Sequence, residues 1–171
     1  MELNNYILEQ ARKSEICEPW ALRIKAANNT DDLMKMYVKG IDFCLANDFP
    51  SNDDLISLVG PDKLEQYGIY VDGATAILNE PFIVLLGSTI GHVKWDGFSV
   101  GQCFIKNDSK AVIHVAGHAF VVVDAFDHSY VEITATDTAK VLVNLYGDAE
   151  ISDQTTGDAI IKIIHKHKTT Y

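Results

Sequence analysis

The chain is poor in the residues that would place it in several protein classes. Its three cysteines, Cys17, Cys44 and Cys103, are an odd, sparse set without CxxC spacing. That argues against a disulfide framework and for reduced thiols. No apolar run approaches the ~20 residues needed to cross a bilayer. The opening MELNNYILEQARKSE lacks the apolar stretch of a secretory signal. The expected location is therefore the cytoplasm of the producing or host cell, with no membrane attachment. Basic residues are also scarce, 14 Lys and Arg against 24 Asp and Glu, for a net charge of −10. Residues 1–77 carry 7 basic and 13 acidic side chains, and residues 78–171 carry 7 and 11. Neither part has the basic footprint of a direct nucleic-acid binder. Gly-rich phosphate loops, nucleophile elbows, HExxH and zinc-ligand clusters are missing too. No catalytic, cofactor or metal site is expected, and the chain reads as a non-enzyme.

What is present is a large apolar fraction, 47% of 171 residues, and two segments with different periods. Residues 1 to about 70 read as helices. Leu3, Ile7, Leu8 and Ala11 form a short amphipathic stripe, and Pro19 sits where a helix opens WALRIKAA (20–27). Thr30 with Asp31 and Asp32 marks a further N-terminus, placing acids at the positive helix end. One helix is expected from there, carrying Leu33, Tyr37, Ile41, Cys44 and Leu45 on one face and stopping before Phe49-Pro50. Ser51 with Asp54 resembles a capping box, and another turn follows Pro61.

From about Leu78 a ten-residue beat takes over. In register it reads DSKAVIHVAG (108–117), HAFVVVDAFD (118–127), HSYVEITATD (128–137), TAKVLVNLYG (138–147), DAEISDQTTG (148–157) and DAIIKIIHKH (158–167). A small residue usually stands at the second place, β-branched or aliphatic residues at the fourth and sixth, and a turn residue at the tenth. Repetition of a strand and a turn builds a solenoid. Alternation sends places two, four, six and eight inward, Cys103 among them. The tenth place holds Gly87, Gly97, Asn107, Gly117, Asp127, Asp137, Gly147 and Gly157, residue types that tolerate positive φ. Pro81 and Trp95 fit the beat poorly.

The outward places select the coil length. If two blocks make one coil, one face collects Phe120, Val122, Phe126, Leu142, Tyr146, Ile160 and Ile164. The other collects Lys110, His114, Tyr130, Glu132, Thr134, Glu150, Ser152 and Gln154. A three-block coil would mix apolar and polar residues on each face, so a rung of about 20 residues is preferred, with rungs about 4.8 Å apart. An apolar exterior of that size requires a cover, either the chain's own helices or a second copy. The same register stacks Asp108, His128 and Asp148 at one corner, read as a polar ladder. His165 and His167 alternate along the last block beside lysines that oppose a cation. Asp124 and Asp127 do not converge as a glycosidase pair would. Lys166 and Lys168 discourage further stacking at the C-terminal end.

The blocks AFVVVDAFD, SYVEITATD and AKVLVNLYGDAEI resemble the AKVxVxAYGNAxV repeats of short, uncharacterised β-solenoid proteins of gut Bacteroidetes and their phages. The leading GIDFCLANDFPSNDDL (40–55) and QYGIYVD (66–72) are similar to the helical lead-in of such proteins. The resemblance implies a repeat module, possible phage encoding, and binding or building rather than catalysis.

The expected fold is α+β, with a small helical cap region (1–72) packed on a C-terminal β-solenoid (73–171). The expected role is a non-enzymatic interaction or structural module that binds a protein partner or a second copy of itself. Its candidate surface is either the polar face around Tyr130, Glu132 and Thr134 or the aromatics Phe120, Phe126 and Tyr146. Two alternatives belong to other classes: an acidic inhibitor that mimics nucleic acid, and a small carbohydrate-active or metal-dependent enzyme.

Overall fold

The computed structural model describes residues 3–171, which divide into two compact units. The first holds residues up to Tyr67 together with Tyr171, and the second runs from Gly68 to Thr170.

The first unit is helical. Helix α1 spans Leu3–Lys13 and buries Ile7, Leu8 and Ala11 of the stripe expected from the sequence, with Leu3 half-buried at its start. Helix α2, Glu18–Ala26, has Pro19 in its first turn, where the missing N–H costs nothing. Helix α3, Thr30–Lys39, is capped one residue earlier than expected. The Asn29 side chain, not Thr30, accepts from the Asp32 N–H at 2.9 Å. The single helix expected after Thr30 is two. Gly40 leaves helical geometry at φ −106°, ψ 27°, and α4, Ile41–Asn47, begins beyond it. The break still allows Tyr37, Ile41, Cys44 and Leu45 all to be buried. Helix α5, Asn52–Asp54, is capped by the Ser51 hydroxyl accepting from the Asp54 N–H. It passes into a π-helical stretch, Leu55–Val59, and α6, Pro61–Glu65, follows.

The second unit is a parallel β-solenoid of about five coils. Strands β1 (Ile69–Val71), β3 (Phe82–Leu86), β5 (Val100–Ile105), β7 (Phe120–Ala125), β9 (Lys140–Leu145) and β11 (Ile160–His165) form one sheet. Strands β2 (Ala74–Leu78), β4 (Ile90–Trp95), β6 (Lys110–Val115), β8 (Tyr130–Ala135) and β10 (Glu150–Thr155) form the other. From β3 onward every residue opposes the one twenty positions away, as Val100 opposes Phe120 and Lys110 opposes Tyr130. Two blocks therefore make one coil. The first coil is shorter: Ile69 opposes Val84 and Ala74 opposes Ile90, separations of 15 and 16 residues. Its strands are joined by the pair Asp72-Gly73, both at positive φ, which is why the beat fades before Leu78 in the sequence.

The inward places form one continuous core of β-branched and aliphatic side chains, including Val93, Ile113 and Ile133 on one sheet and Ile83, Val123 and Val143 on the other. Cys103 is buried among them, and burial raises its thiol pKa well above the ordinary value. Trp95 also belongs to the pattern. It occupies an inward place, is fully buried, and donates its indole N–H to the Glu80 carbonyl at 2.8 Å. Space for it comes from Gly101, where a Cβ would lie 2.3 Å from the indole nitrogen. Pro81 immediately precedes β3, which starts two residues later in its block than the strands that follow in this sheet, so no strand N–H is lost.

The corners explain the tenth place. All nine residues from Gly87 to His167 at this spacing have φ between 54° and 67°. Asn or Asp there does more than tolerate the geometry, because its side chain accepts the backbone N–H of the corner one coil back. Asn107 accepts from Gly87, Asp127 from Asn107, and Asp137 from Gly117, at 2.8–3.1 Å. At Gly117 a Cβ would lie 2.9 Å from the Gly97 backbone, so close stacking there needs glycine.

Candidate functional site

The two outer sheet surfaces differ in what they offer to solution. On the five-stranded sheet the outward residues form three columns. Ile90, Lys110, Tyr130 and Glu150 align in one, His92, Val112, Glu132 and Ser152 in the next, and Lys94, His114, Thr134 and Gln154 in the third. With Ala74, Ala76 and Leu78 of β2 they make a grid of which no member is buried. The parallel ladder fixes neighbouring coils about 4.8 Å apart, so these side chains are held in register on rigid backbone. Tyr130, Glu132 and Thr134 occupy its centre, with Tyr130 36% exposed.

On the six-stranded sheet exposure changes across the strands. Val100, Phe120, Lys140 and Ile160 are exposed, Val122 and Leu142 are half-buried, and Val84, Phe104, Asp124 and Asn144 are buried. Of the three aromatics expected on this surface, Phe120 is presented, at 44% exposure. Phe126 and Tyr146 are buried and stack on each other, ring centroids 4.6 Å apart and 16° from parallel. Lys106 and Lys168 lie over the outer faces of this pair. Phe98, at a corner, is 84% exposed and stacks with His118 one coil away. Sequence reasoning passed over Phe98 because it stands at a turn, outside the alternation.

The charged residues weighed from the sequence are distributed rather than convergent. Asp124 is buried and accepts from the Asn144 amide at 2.6 Å, whereas Asp127 sits at a corner and pairs with Lys106 at 2.9 Å. Asp108, His128 and Asp148 do stack at one corner, together with Asn107, Asp127, Gly147 and Thr169 around a shallow depression. His128 and Asp148 approach to 3.8 Å, and both are well exposed. His165 and His167 have ring centroids 6.5 Å apart. Among the described residues no group of three or more His, Cys, Asp or Glu is placed to hold a metal ion.

Several acids are committed to the fold instead. The Asp137 carboxylate, bonded to the Gly117 N–H and the Thr136 hydroxyl, is held below the usual carboxylate range. Asp96 is lowered in the same direction by Asn79 and Lys94. Outward acids on the grid are Glu132 and Glu150, in different columns, so no continuous acidic row forms there.

No helix among the described residues is long and apolar enough to cross a membrane. Comparison with known protein families, curated proteins and solved structures returned no match to this chain.

Proposed function

We propose that the chain is a non-enzymatic interaction module that presents the outer face of its five-stranded sheet to a protein partner. The observation that carries this reading is the grid around Tyr130, Glu132 and Thr134, with no member buried and all fixed in register over five strands. A rigid array of this kind binds without ordering mobile loops, which removes part of the entropic cost of association. Its composition also suits recognition. Tyr130 is the residue type that anchors interfaces, and Lys110, Glu132 and Glu150 lie around it with charges of both signs. The scattered acids give no support to imitation of a polyanion, and the dispersed histidines and carboxylates give none to hydrolysis.

The reading is tested by placing a photoreactive phenylalanine at Tyr130 or Glu132 in the native host, with a control at Lys162 on the opposite sheet. A partner captured from the first two positions and not from the control is expected. Binding of that purified partner should then fall at least ~10-fold in the Tyr130→Ala variant, as for an interface anchor. Capture from the control alone, or undiminished binding by Tyr130→Ala, would overturn the assignment of this face.

A further inference from the structure

The helical unit contains a cavity of about 480 Å³, well inside the roughly 300–1,000 Å³ range of small-molecule sites. All of its wall comes from residues 3–59, so the site is complete within that unit. The wall is aliphatic, aromatic and sulfur-bearing: Ile7, Trp20, Met34, Cys44 and Leu55 are among its residues. Such a lining suits a largely apolar guest.

Among the aromatic side chains of the wall, Tyr37 carries a phenol hydroxyl. Tyr37 is 6% exposed, and no described residue hydrogen-bonds its hydroxyl. Burial, with smaller contributions from Cys44 and Asp48, raises the phenol pKa, so it stays neutral throughout the physiological range. A phenol hydroxyl both donates and accepts a hydrogen bond, and this one is not among the fully enclosed side-chain atoms left without a partner, so it is open to a guest. A ligand atom in the cavity would satisfy this one.

Two further features bear on the guest. The π-helical stretch Leu55–Val59 places Leu55, Leu58 and Val59 on the wall, and Leu58 is partly exposed. Such π-helical turns are frequent at functional sites. The charged residues bordering the cavity are Glu15, Asp42 and Asp54 against Lys39, an acidic excess that opposes an anionic guest.

We infer that the helical unit is a small-molecule site for a neutral, largely apolar molecule carrying one hydrogen-bonding group that pairs with Tyr37. The inference is independent of the sheet surface proposed above, which lies in the other unit. The probe is Nile red, a neutral dye with an apolar body and a single ring carbonyl, titrated into the full chain. Dodecan-1-ol and dodecanoate then compete for the site. Saturable one-to-one uptake is expected, displaced by the alcohol at concentrations at least ~10-fold lower than by the carboxylate, because burying a charge there is unfavourable. Leu58→Trp should abolish uptake by obstructing the cavity. Tyr37→Phe, which keeps the packing and is checked for an unchanged circular dichroism spectrum, should weaken dye binding about five-fold through loss of one hydrogen bond. Absence of saturable uptake, equal displacement by dodecanoate, or unaltered affinity in Tyr37→Phe would each overturn the inference. The last arm remains decisive if Leu58→Trp does not fold.

Discussion

Trp95 and Tyr37 are both bulky, buried aromatics with a polar atom, and the two units accommodate them in opposite ways. Trp95 lies inside the solenoid, where Gly101 gives way to its ring and the Glu80 carbonyl takes its N–H. Tyr37 lies in the helical unit beside a cavity of about 480 Å³, with its hydroxyl unclaimed. The contrast follows from how each unit builds a core. In the solenoid every inward place is flanked by equivalent places one coil away, so an oversized residue needs a glycine nearby. In the helical unit each contact is particular, and space can persist between helices. One unit is filled and rigid, which suits display of a surface, and the other keeps room for a guest.

The largest effect is expected from breaking the filled core. Ile133→Asp puts a charge at an inward place in the middle coils and should cost about 4 kcal/mol or more, unfolding the solenoid in chemical denaturation. The native chain has such a residue one coil further on, where Asp153 opposes Ile133 on the exposed terminal strand β10. An inward-pointing charge there discourages another strand from adding to the edge. Asp153→Ile should therefore leave stability intact and increase self-association, measured as mass by light scattering.

Smaller changes sharpen the comparison. Gly101→Ala forces a methyl against Trp95 and should cost about 2–3 kcal/mol, partly recovered by adding Trp95→Phe. Enlargement on the helical side has the opposite sign. Cys44→Leu extends into the cavity and should raise stability by about 0.5–1 kcal/mol in the same denaturation assay. The native Cys44 thiol, pushed up to about 12 by burial, should stay unreactive toward alkylating agents at neutral pH, with the exposed Cys17 modified first.

The smallest expected effect is a pH dependence at one corner. The folded-state pKa of Asp137 is lowered, so its contribution is present above the ordinary carboxylate pKa and is lost as pH falls through the lowered value. Asp137→Asn retains an oxygen for the Gly117 N–H, as Asn107 does for Gly87. Thermal melts of this variant should lose that acid-limb dependence while keeping the native fold at neutral pH.

The solenoid was legible in the sequence because its environments repeat. The ten-residue spacing of positive-φ corners, the inward set around Val123, Ile133 and Val143, and the twenty-residue coil all follow from counting places. Trp95 was misplaced because its partner, Gly101, is six residues away in sequence and adjacent only through the coil. The short first coil was hidden because Asp72-Gly73 closes it with a tight two-residue turn. In the helical unit the stripe of α1 and the Ser51 cap were readable from local chemistry. The break at Gly40 was not, because the apolar spacing of Tyr37, Ile41 and Cys44 continues across it. Nor was the cavity, which depends on how several short segments leave space between them. Burial of Phe126 and Tyr146 was missed since alternation gives direction and not exposure.

The central claim is that two ten-residue blocks make one coil, so that a single face of the repeat is presented in register. Cysteine pairs joined by a short bifunctional reagent in a Cys17→Ser background test it most directly. Val112→Cys with Glu132→Cys joins residues paired in adjacent coils and should cross-link efficiently. Val112→Cys with Val122→Cys places the thiols on opposite sheets and should not. Efficient linkage of positions 112 and 142, with none between 112 and 132, would indicate a three-block coil and contradict the account.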